Sequence, residues 1–200
     1  MISVALCGAG GTGKGTIITE LCENKEWLFT PLRSPIEQIG RRLVPAAAGY
    51  DNMSQEEKKR MQYCIVSAQM ALEDHARTLQ ENFIAERSVI DYLPYMMKFC
   101  TMDEYCGYSS FITEYLRQNP YDVLVYVPIE FEPSSKDLRL NSWKERNAAA
   151  RQRTATLLGD IIDDLQDQIP SMKIIRAVGT PAERAKLVTE ACQDIARACI

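Results

Sequence analysis

Short apolar runs alternate along the chain with longer stretches in which apolar residues recur every three or four positions. The short runs are partly β-branched, which is typical of strands buried on both faces of a parallel sheet. They span Ile2–Cys7, Trp27–Thr30, Phe83–Ala85, Asp122–Val127 and Lys173–Val178. Strands that alternate with helices in this way predict βαβ units, and therefore an α/β fold with a five-stranded parallel sheet flanked by helices.

Two of the longer stretches carry clear signals for the start of a helix. Ser54–Glu81 has helical spacing throughout, and its first residue is placed to form a capping box with Glu57. The last helix is predicted to begin after Thr180, because Pro181 suits the first helical position and Glu183 stands three residues after the cap. No internal repeat and no Pro/Gly/Ser-rich linker interrupts this pattern.

Composition narrows the class of protein without identifying it. The 200 residues are 46% apolar, 25% charged and 8% aromatic, which is typical of one globular domain over residues 1–200. The formal net charge is −4, from 27 acidic and 23 basic residues. Proteins that bind long polyanions usually carry a basic surplus, so we do not expect nucleic acid as the main partner.

Other sequence features predict a cytoplasmic protein. No apolar run approaches the roughly 18–20 residues of a membrane span, and the first residues do not read as a signal peptide. The seven cysteines are scattered without a C-x-x-C pair, which fits a reducing compartment. The single histidine, His75, is expected to be structural or solvated. The apolar stretch Tyr92–Phe99 is a candidate surface for a homodimer.

The first predicted strand runs directly into a glycine-rich turn that reads G-x-x-x-x-G-K, and helical sequence follows. This order is the context that the phosphate-loop motif requires. Glycines let consecutive N–H groups point at phosphate oxygens, the following helix adds its positive end, and Lys14 adds a full charge. We therefore predict that ATP is bound by Gly8, Gly10, Gly11, Thr12, Gly13, Lys14, Gly15 and Thr16.

This sequence lacks the additional motifs that two large classes of phosphate-loop protein carry. A motor or AAA-type ATPase has an apolar strand that ends in Asp-Asp or Asp-Glu, whereas Asp122–Val127 leads into Pro128. A GTPase has Asn-Lys-x-Asp for guanine, whereas the Asn-Lys pair at Asn24 lacks the Asp. Both classes are therefore disfavoured.

A small-molecule kinase requires arginines around the moving phosphoryl group and a carboxylate near the metal and the acceptor. The third predicted strand ends in Glu86-Arg87-Ser88, and Asp91 follows. Ligands of parallel α/β sheets collect at the carboxyl ends of the strands. We therefore predict Glu86 and Arg87 at the catalytic site and Asp91 among the residues that bind substrate.

The Gly-Lys-Gly-Thr ending of the loop, with Gly15 followed by Thr16, resembles adenylate kinase and the other nucleoside monophosphate kinases. The Glu-Arg-Ser run at Glu86 resembles the motif of deoxynucleoside kinases and the Asp-Arg motif of thymidylate kinases. The resemblance implies a P-loop kinase fold with a short arginine-bearing lid at about residues 130–153, and ATP and Mg²⁺ as cofactors. It also implies that Arg87 contacts phosphate and that Thr16 and Glu86 lie near the metal.

The remaining site predictions, apart from that for Gln69, also depend on this resemblance. In the lid, Arg139 is the first candidate for a catalytic arginine, and Arg146 is the second. After the second strand, Arg33 and Arg41 are predicted to bind the phosphate that the acceptor already carries. Deoxynucleoside kinases have a carboxylate directly after this strand, and this chain lacks it. Gln69 is a candidate for binding a base. The loop after the last strand is predicted to support adenine through Gly179, Thr180 and Pro181.

These predictions together describe a magnesium-dependent phosphotransferase that moves the γ-phosphate of ATP to a nucleoside monophosphate or its deoxy form. Its partner is a small nucleotide rather than a membrane or nucleic acid. Three alternatives stay open: a nucleoside or nicotinamide-riboside-type kinase, a kinase acting on a modified base or end in DNA, and a non-catalytic nucleotide-binding regulatory module.

Overall fold

One five-stranded parallel sheet organises the chain. The computed structural model describes residues 1–24, 27–36, 39, 42, 52–131 and 148–198. The strands run in the order β2-β3-β1-β4-β5 and comprise β1 (Ser3–Cys7), β2 (Thr30–Leu32), β3 (Phe83–Ala85), β4 (Val123–Tyr126) and β5 (Lys173–Arg176). The six α-helices of the described residues are α1 (Lys14–Glu23), α2 (Gln55–Thr78), α3 (Leu93–Phe99), α4 (Met102–Gln118), α5 (Ala148–Gln168) and α6 (Pro181–Ala198). The predicted parallel α/β sheet flanked by helices is confirmed.

Helices cover both faces of the sheet. On β1, Ala5 and Cys7 contribute to a core shared with α2, α3, α4 and α5, whereas Val4 and Leu6 contribute to a core shared with α1 and α6. Because both faces are buried, β1 is apolar at consecutive positions instead of alternating between apolar and polar residues. The same arrangement brings the carboxyl ends of β2, β3 and β1 side by side at one edge of the sheet.

The second strand is the element that the sequence analysis placed wrongly. The apolar run Trp27–Thr30 predicted it, but β2 shares only Thr30 with that run. The rings of Trp27 and Phe29 stack on each other with their centroids 4.2 Å apart, ahead of the strand. At the edge of the sheet Pro31 pairs with Ile84, a position where the missing N–H of proline is tolerated.

The apolar stretch Tyr92–Phe99 does not form the exposed surface that we predicted for a homodimer. A 3₁₀ turn over Val89–Tyr92 leads into α3, and Tyr92, Leu93 and Met96 are buried in the core. Met97 is the large apolar side chain of this stretch that is exposed. The stretch is apolar because it packs within the protein.

Helix ends follow the predicted capping chemistry. The Ser54 hydroxyl accepts from the N–H of Glu57, whose side chain accepts from the N–H of Ser54, so the predicted capping box of α2 is confirmed. None of the described helices is both long enough and apolar enough to cross a membrane.

Candidate functional site

The loop between β1 and α1 carries the predicted phosphate-binding residues. Two of its glycines occupy positions that a larger residue does not tolerate. A Cβ atom at Gly8 would lie 2.4 Å from the carbonyl oxygen of Val127, and Gly13 has a φ of +89° at the N-cap of α1. The loop therefore approaches the end of β4 closely and turns directly into α1, whose positive end lies at the loop.

Lys14 turns its ammonium group into the loop. Nζ donates to the carbonyl oxygens of Gly8 at 2.6 Å and Ala9 at 2.8 Å. The pKa of Lys14 is lowered to about 7, first because burial disfavours the charged form and then because Arg87 is also positive, while Asp91 acts in the opposite direction. A bound phosphate would supply the negative charge that this lysine lacks.

We expect nucleotide binding to take up protons above about pH 7. A phosphate favours the charged ammonium group, so the pKa of Lys14 in the complex lies above its free value of about 7. Below that value Lys14 is already charged, and above it each binding event takes up a proton. The affinity therefore falls by at most about tenfold for each further pH unit. Calorimetry of ADP binding at about pH 6 and about pH 8, in buffers of different ionisation enthalpy, measures this uptake.

Lys14→Arg is the matched control for this experiment, because a guanidinium stays charged throughout this pH range. We expect the variant to take up fewer protons than the wild type at about pH 8. Equal uptake by the two proteins would assign the proton to another group.

Asp91 joins the start of the loop to the end of β3. Its Oδ1 accepts from the N–H of Gly8 at 3.0 Å and from the guanidinium of Arg87 at 3.3 Å. Its Oδ2 accepts from the N–H and the hydroxyl of Ser88 at 2.9 and 2.7 Å. The carboxylate is completely buried. Both oxygens of Asp91 are therefore engaged within the protein, which suits a positioning role. Asp91 is absent from the described lining of the cavity beside the loop, and its predicted contact with substrate stays a prediction.

A cavity of about 750 Å³ opens beside the loop at the carboxyl edge of the sheet. Gly11 to Thr16 line one part of it. Its other described lining residues are Thr19, Arg33, Ser34, Ile36, Glu86, Arg87 and Phe131. Lys14, Arg33 and Arg87 thus share the cavity with one carboxylate among its described lining residues, that of Glu86.

Arg87 keeps its positive charge in this cavity although it is nearly buried. Burial alone would lower its pKa, but the negative charge of Asp91 and nearby tyrosines raise the pKa above its ordinary value. The guanidinium is therefore a permanent cation that is held in place by its bond to Asp91.

Glu86 faces the first turn of α1. A Cβ atom at Gly15 would lie 3.3 Å from Oε1 of Glu86. The other oxygen, Oε2, accepts from the N–H of Ser34 at 3.4 Å and lies 3.9 Å from Nη1 of Arg33. Gly15 thus leaves space for the carboxylate beside the loop, at the position where the common motif has Ser or Thr.

Thr16 and Glu86 fit a magnesium ion that arrives with a nucleotide. Both lie in the cavity lining and both offer oxygen atoms. Mg²⁺ is usually held by one or two carboxylates together with substrate phosphates and water. These two residues are the candidates among the described lining residues to hold such an ion.

Gln69 lies outside the described cavity lining and is completely buried beside the end of β3. Its Nε2 donates to the carbonyl oxygen of Arg87 at 3.0 Å and to Glu73 at 2.8 Å. The amide oxygens of Gln69 and of Gln62, two turns earlier on α2, are buried without a hydrogen-bond partner among the described residues. The predicted contact of Gln69 with a base would use this oxygen, and it stays a prediction.

The loop after β5 contacts the phosphate loop indirectly and is absent from the described cavity lining. Thr180 and Glu183 form the predicted capping box of α6, and Pro181 begins that helix. The N–H of Gly179 donates to Glu130 at 2.9 Å. Glu130 in turn pairs with Arg184, which contacts the phosphate loop. The adenine role of Gly179, Thr180 and Pro181 stays a prediction.

Two buried arginines that contact the phosphate loop were not among the predicted site residues. Arg184 of α6 donates from Nη1 to the carbonyl oxygen of Thr12 at 2.8 Å, and Arg151 of α5 donates from Nε to that of Gly10 at 3.0 Å. Arg151 belongs to a basic cluster that follows the fourth strand in the sequence, and this cluster was a usable signal; it comprises Lys136, Arg139, Lys144, Arg146, Arg151 and Arg153. Arg184 gave no such signal, because 172 positions separate it from its partner. Arg41, Arg139 and Arg146 lie outside the described residues, so their roles stay predictions.

Comparison with protein families and curated proteins gives one match. A family model described as AAA domain matches residues 3–166, a range that includes the phosphate loop, β3 and the buried Asp91. No curated protein matches the chain significantly.

Solved structures with a similar fold include deoxyadenosine kinase from M. mycoides with bound dATP. It has a TM-score of 0.58 and 16% identity, over 95% of this chain and 98% of that chain. The same enzyme with products dCMP and a flexible dCDP has a TM-score of 0.60 and 15% identity, over 96% and 98% of the two chains. With bound dCTP the values are 0.55 and 16%, over 96% and 98%. The likeness confirms the P-loop kinase fold that the resemblance implied.

Proposed function

This chain belongs to the AAA domain family, and we propose that it transfers the γ-phosphoryl group of ATP to a nucleoside monophosphate. The observation that carries the proposal is the presence of Lys14, Arg33, Arg87 and Glu86 in one cavity beside the phosphate loop. Phosphoryl transfer depends mainly on positioning and on neutralising charge, which three cations around one carboxylate are suited to provide.

The matched family is that of AAA domains, whereas no predicted strand of this sequence ends in the acidic pair that is expected of an AAA-type ATPase. This observation holds at β4 in the structure. β4 ends at Tyr126 and the chain continues through Val127 to Pro128, without an acidic pair at this end. The carboxylate in the described lining of the cavity beside the phosphate loop is instead that of Glu86, after β3. Hydrolysis of ATP without an acceptor is therefore an outcome that the experiment below must separate from transfer.

On the donor side, the loop N–H groups and Lys14 would bind the β- and γ-phosphates of ATP. Thr16 and Glu86 are the residues that would hold a magnesium ion bound with ATP, and the ion would supply positive charge that offsets the charge of the phosphates. Arg87, kept charged by Asp91, would neutralise the transferring group. If Arg139 and Arg146 belong to a lid, they would add further positive charge there.

On the acceptor side, Arg33 is the described residue suited to a phosphate that the acceptor already carries. Its guanidinium lies 3.9 Å from Glu86, and its side chain is 54% exposed, so it is accessible from the cavity. Arg41 would assist, and Gln69 would offer its amide oxygen to the base. A phosphate acceptor is already anionic and needs no strong general base, which agrees with a cavity whose described lining contains no histidine.

A free nucleoside is the second candidate acceptor, and the similar solved structures favour it. They are structures of a deoxyadenosine kinase, bound to dATP in one case. A sugar hydroxyl must lose its proton during transfer. Glu86, as the carboxylate in the described cavity lining, is the group that would accept this proton.

A screen of ATP consumption with Mg²⁺ against common nucleosides and their monophosphates distinguishes these functions. We expect a monophosphate to stimulate turnover at least about tenfold over the corresponding nucleoside, a difference of about 1.4 kcal/mol in activation free energy. Product analysis must show a nucleoside diphosphate. Turnover that needs a nucleoside or a DNA end would replace the proposal, as would hydrolysis without an acceptor. ATP binding without turnover would establish a regulatory module.

Replacing Arg33 with alanine should raise the KM for the monophosphate about tenfold or more and change the KM for ATP little. The reason is that a charged hydrogen bond to the acceptor contributes roughly 1.5–3 kcal/mol. Steady-state kinetics with each substrate varied in turn measures the two constants. Arg117→Ala is the matched control, because Arg117 is about half exposed on α4 and pairs with Glu114 outside the described cavity lining. Equal effects of the two substitutions would remove Arg33 from the acceptor site.

A further inference from the structure

Two buried arginines hold the outer side of the phosphate loop, and we infer that Arg184, together with Arg151, orients the loop N–H groups that bind phosphate. The inference rests on the proposed function, because it assigns positioning residues to the same site. Neither arginine is among the described residues that line the cavity, so both act through the loop backbone.

The guanidinium of Arg184 is fixed from several directions. Its Nη1 donates to the carbonyl oxygen of Thr12 at 2.8 Å, and its Nη2 pairs with Glu130. Glu130 is itself held by the N–H of Gly179 at 2.9 Å. The ring of Phe131 lies against the guanidinium, 5.4 Å from the ring centroid to Cζ. Arg184 is only 2% exposed, so it is a rigid element of the fold.

The geometry of the peptide bond converts this contact into an orientation of the loop. In a planar trans peptide the carbonyl and the following N–H point in opposite directions. Because Arg184 binds the carbonyl oxygen of Thr12, the N–H of Gly13 points away from Arg184. Arg151 binds the carbonyl oxygen of Gly10 at 3.0 Å and has the same effect on the N–H of Gly11.

These two peptides need support because of the residues that follow them. Gly11 and Gly13 have φ angles of +72° and +89°, and glycine passes between positive and negative φ with little cost. A peptide that rotated by half a turn would present a carbonyl oxygen to the phosphate and repel it. Gly11 and Gly13 both line the cavity, so the orientation of their N–H groups bears directly on phosphate binding.

Calorimetry of the full chain with inorganic tripolyphosphate tests the inference without involving a base or an acceptor. We expect Arg184→Met to weaken binding about 10- to 100-fold, since the substitution removes a charged hydrogen bond and frees the Gly13 peptide. Arg184→Lys should restore part of the affinity, because an ammonium group still donates to a carbonyl. Arg151→Met should weaken binding in the same direction through Gly11, which gives an independent test if Arg184→Met does not fold.

Val188→Ala is the matched control for stability. Val188 lies on the same helix and is completely buried in the core, and it has no contact with the phosphate loop among those described. We expect it to lower the Tm while leaving tripolyphosphate affinity within about twofold of the wild type. The inference would be overturned by an unchanged Kd in Arg184→Met and Arg151→Met, or by an equal loss in Val188→Ala.

The wild-type protein separates this inference from the proposed function. If it binds tripolyphosphate but transfers no phosphoryl group to any acceptor, the proposed function fails, and the arginine variants still decide the inference. If it does not bind tripolyphosphate, the inference fails as well.

Discussion

Replacing Lys14 with alanine should abolish measurable phosphoryl transfer and weaken ATP binding at least about 100-fold. Nζ lies 2.6 and 2.8 Å from the carbonyl oxygens of Gly8 and Ala9, inside the loop that would surround the phosphates. Alanine removes the one lysine charge in the described cavity lining, and Arg33 and Arg87 approach the cavity from other strands. Calorimetry with ATP and initial rates with the best acceptor measure the two losses.

Lys186→Ala is the control for this substitution. Lys186 lies on α6, is 76% exposed in its side chain and is 3.8 Å from Glu190, so its removal should change both quantities by less than about twofold. Circular dichroism of Lys14→Ala should match the wild type, because the lost bonds are local to the loop. Phosphoryl transfer that survives in Lys14→Ala would place the donor elsewhere.

Replacing Asp91 with alanine should lower the free energy of unfolding by about 3–5 kcal/mol. The substitution removes four hydrogen bonds, to Gly8, Arg87 and both donors of Ser88, and leaves the buried guanidinium of Arg87 without this carboxylate. Turnover should fall as well, because Arg87 and the start of the loop lose their shared support. Urea denaturation gives the free energy, and rates at a temperature where the variant is folded give the turnover.

Asp163→Ala is the control for the loss of an ion pair as such. Asp163 pairs with Arg176 at 3.0 Å, but the two side chains are 66% and 56% exposed, so the loss should be below about 1 kcal/mol. The loss in the free energy of unfolding for Asp91→Asn should lie between those for Asp91→Ala and Asp163→Ala, since asparagine keeps the shape of the side chain and one acceptor oxygen. A loss for Asp91→Ala no larger than for Asp163→Ala would contradict the positioning role.

The phosphate loop could be predicted from local sequence, because the residues of its motif follow one another along the chain. A strand, a glycine-rich turn and a helix with Lys14 in its first turn form one continuous segment, and the motif that identifies this segment lies entirely within it. The capping boxes of α2 and α6 were predicted for the same reason, since each joins residues three positions apart.

The second strand shows where local sequence was not enough. Trp27 and Phe29 are apolar and read as a strand, yet their rings stack on each other, and the ladder begins at Thr30. Pairing with Phe83 to Ala85 decides the position of β2, and that partner lies about 50 residues further along the chain.

The sequence by itself thus determined the parallel α/β sheet, the phosphate loop and the presence of Glu86 and Arg87 at the end of a strand. Tertiary structure decided that Asp91 turns inward to hold Gly8 and Arg87, that Arg184 and Arg151 hold the loop carbonyls, and that Gly15 makes space for Glu86. The physical reason is the range of the interactions. Periodicity, capping and glycine conformation act over a few residues, whereas these contacts join residues that come together only when helices cover both faces of the sheet.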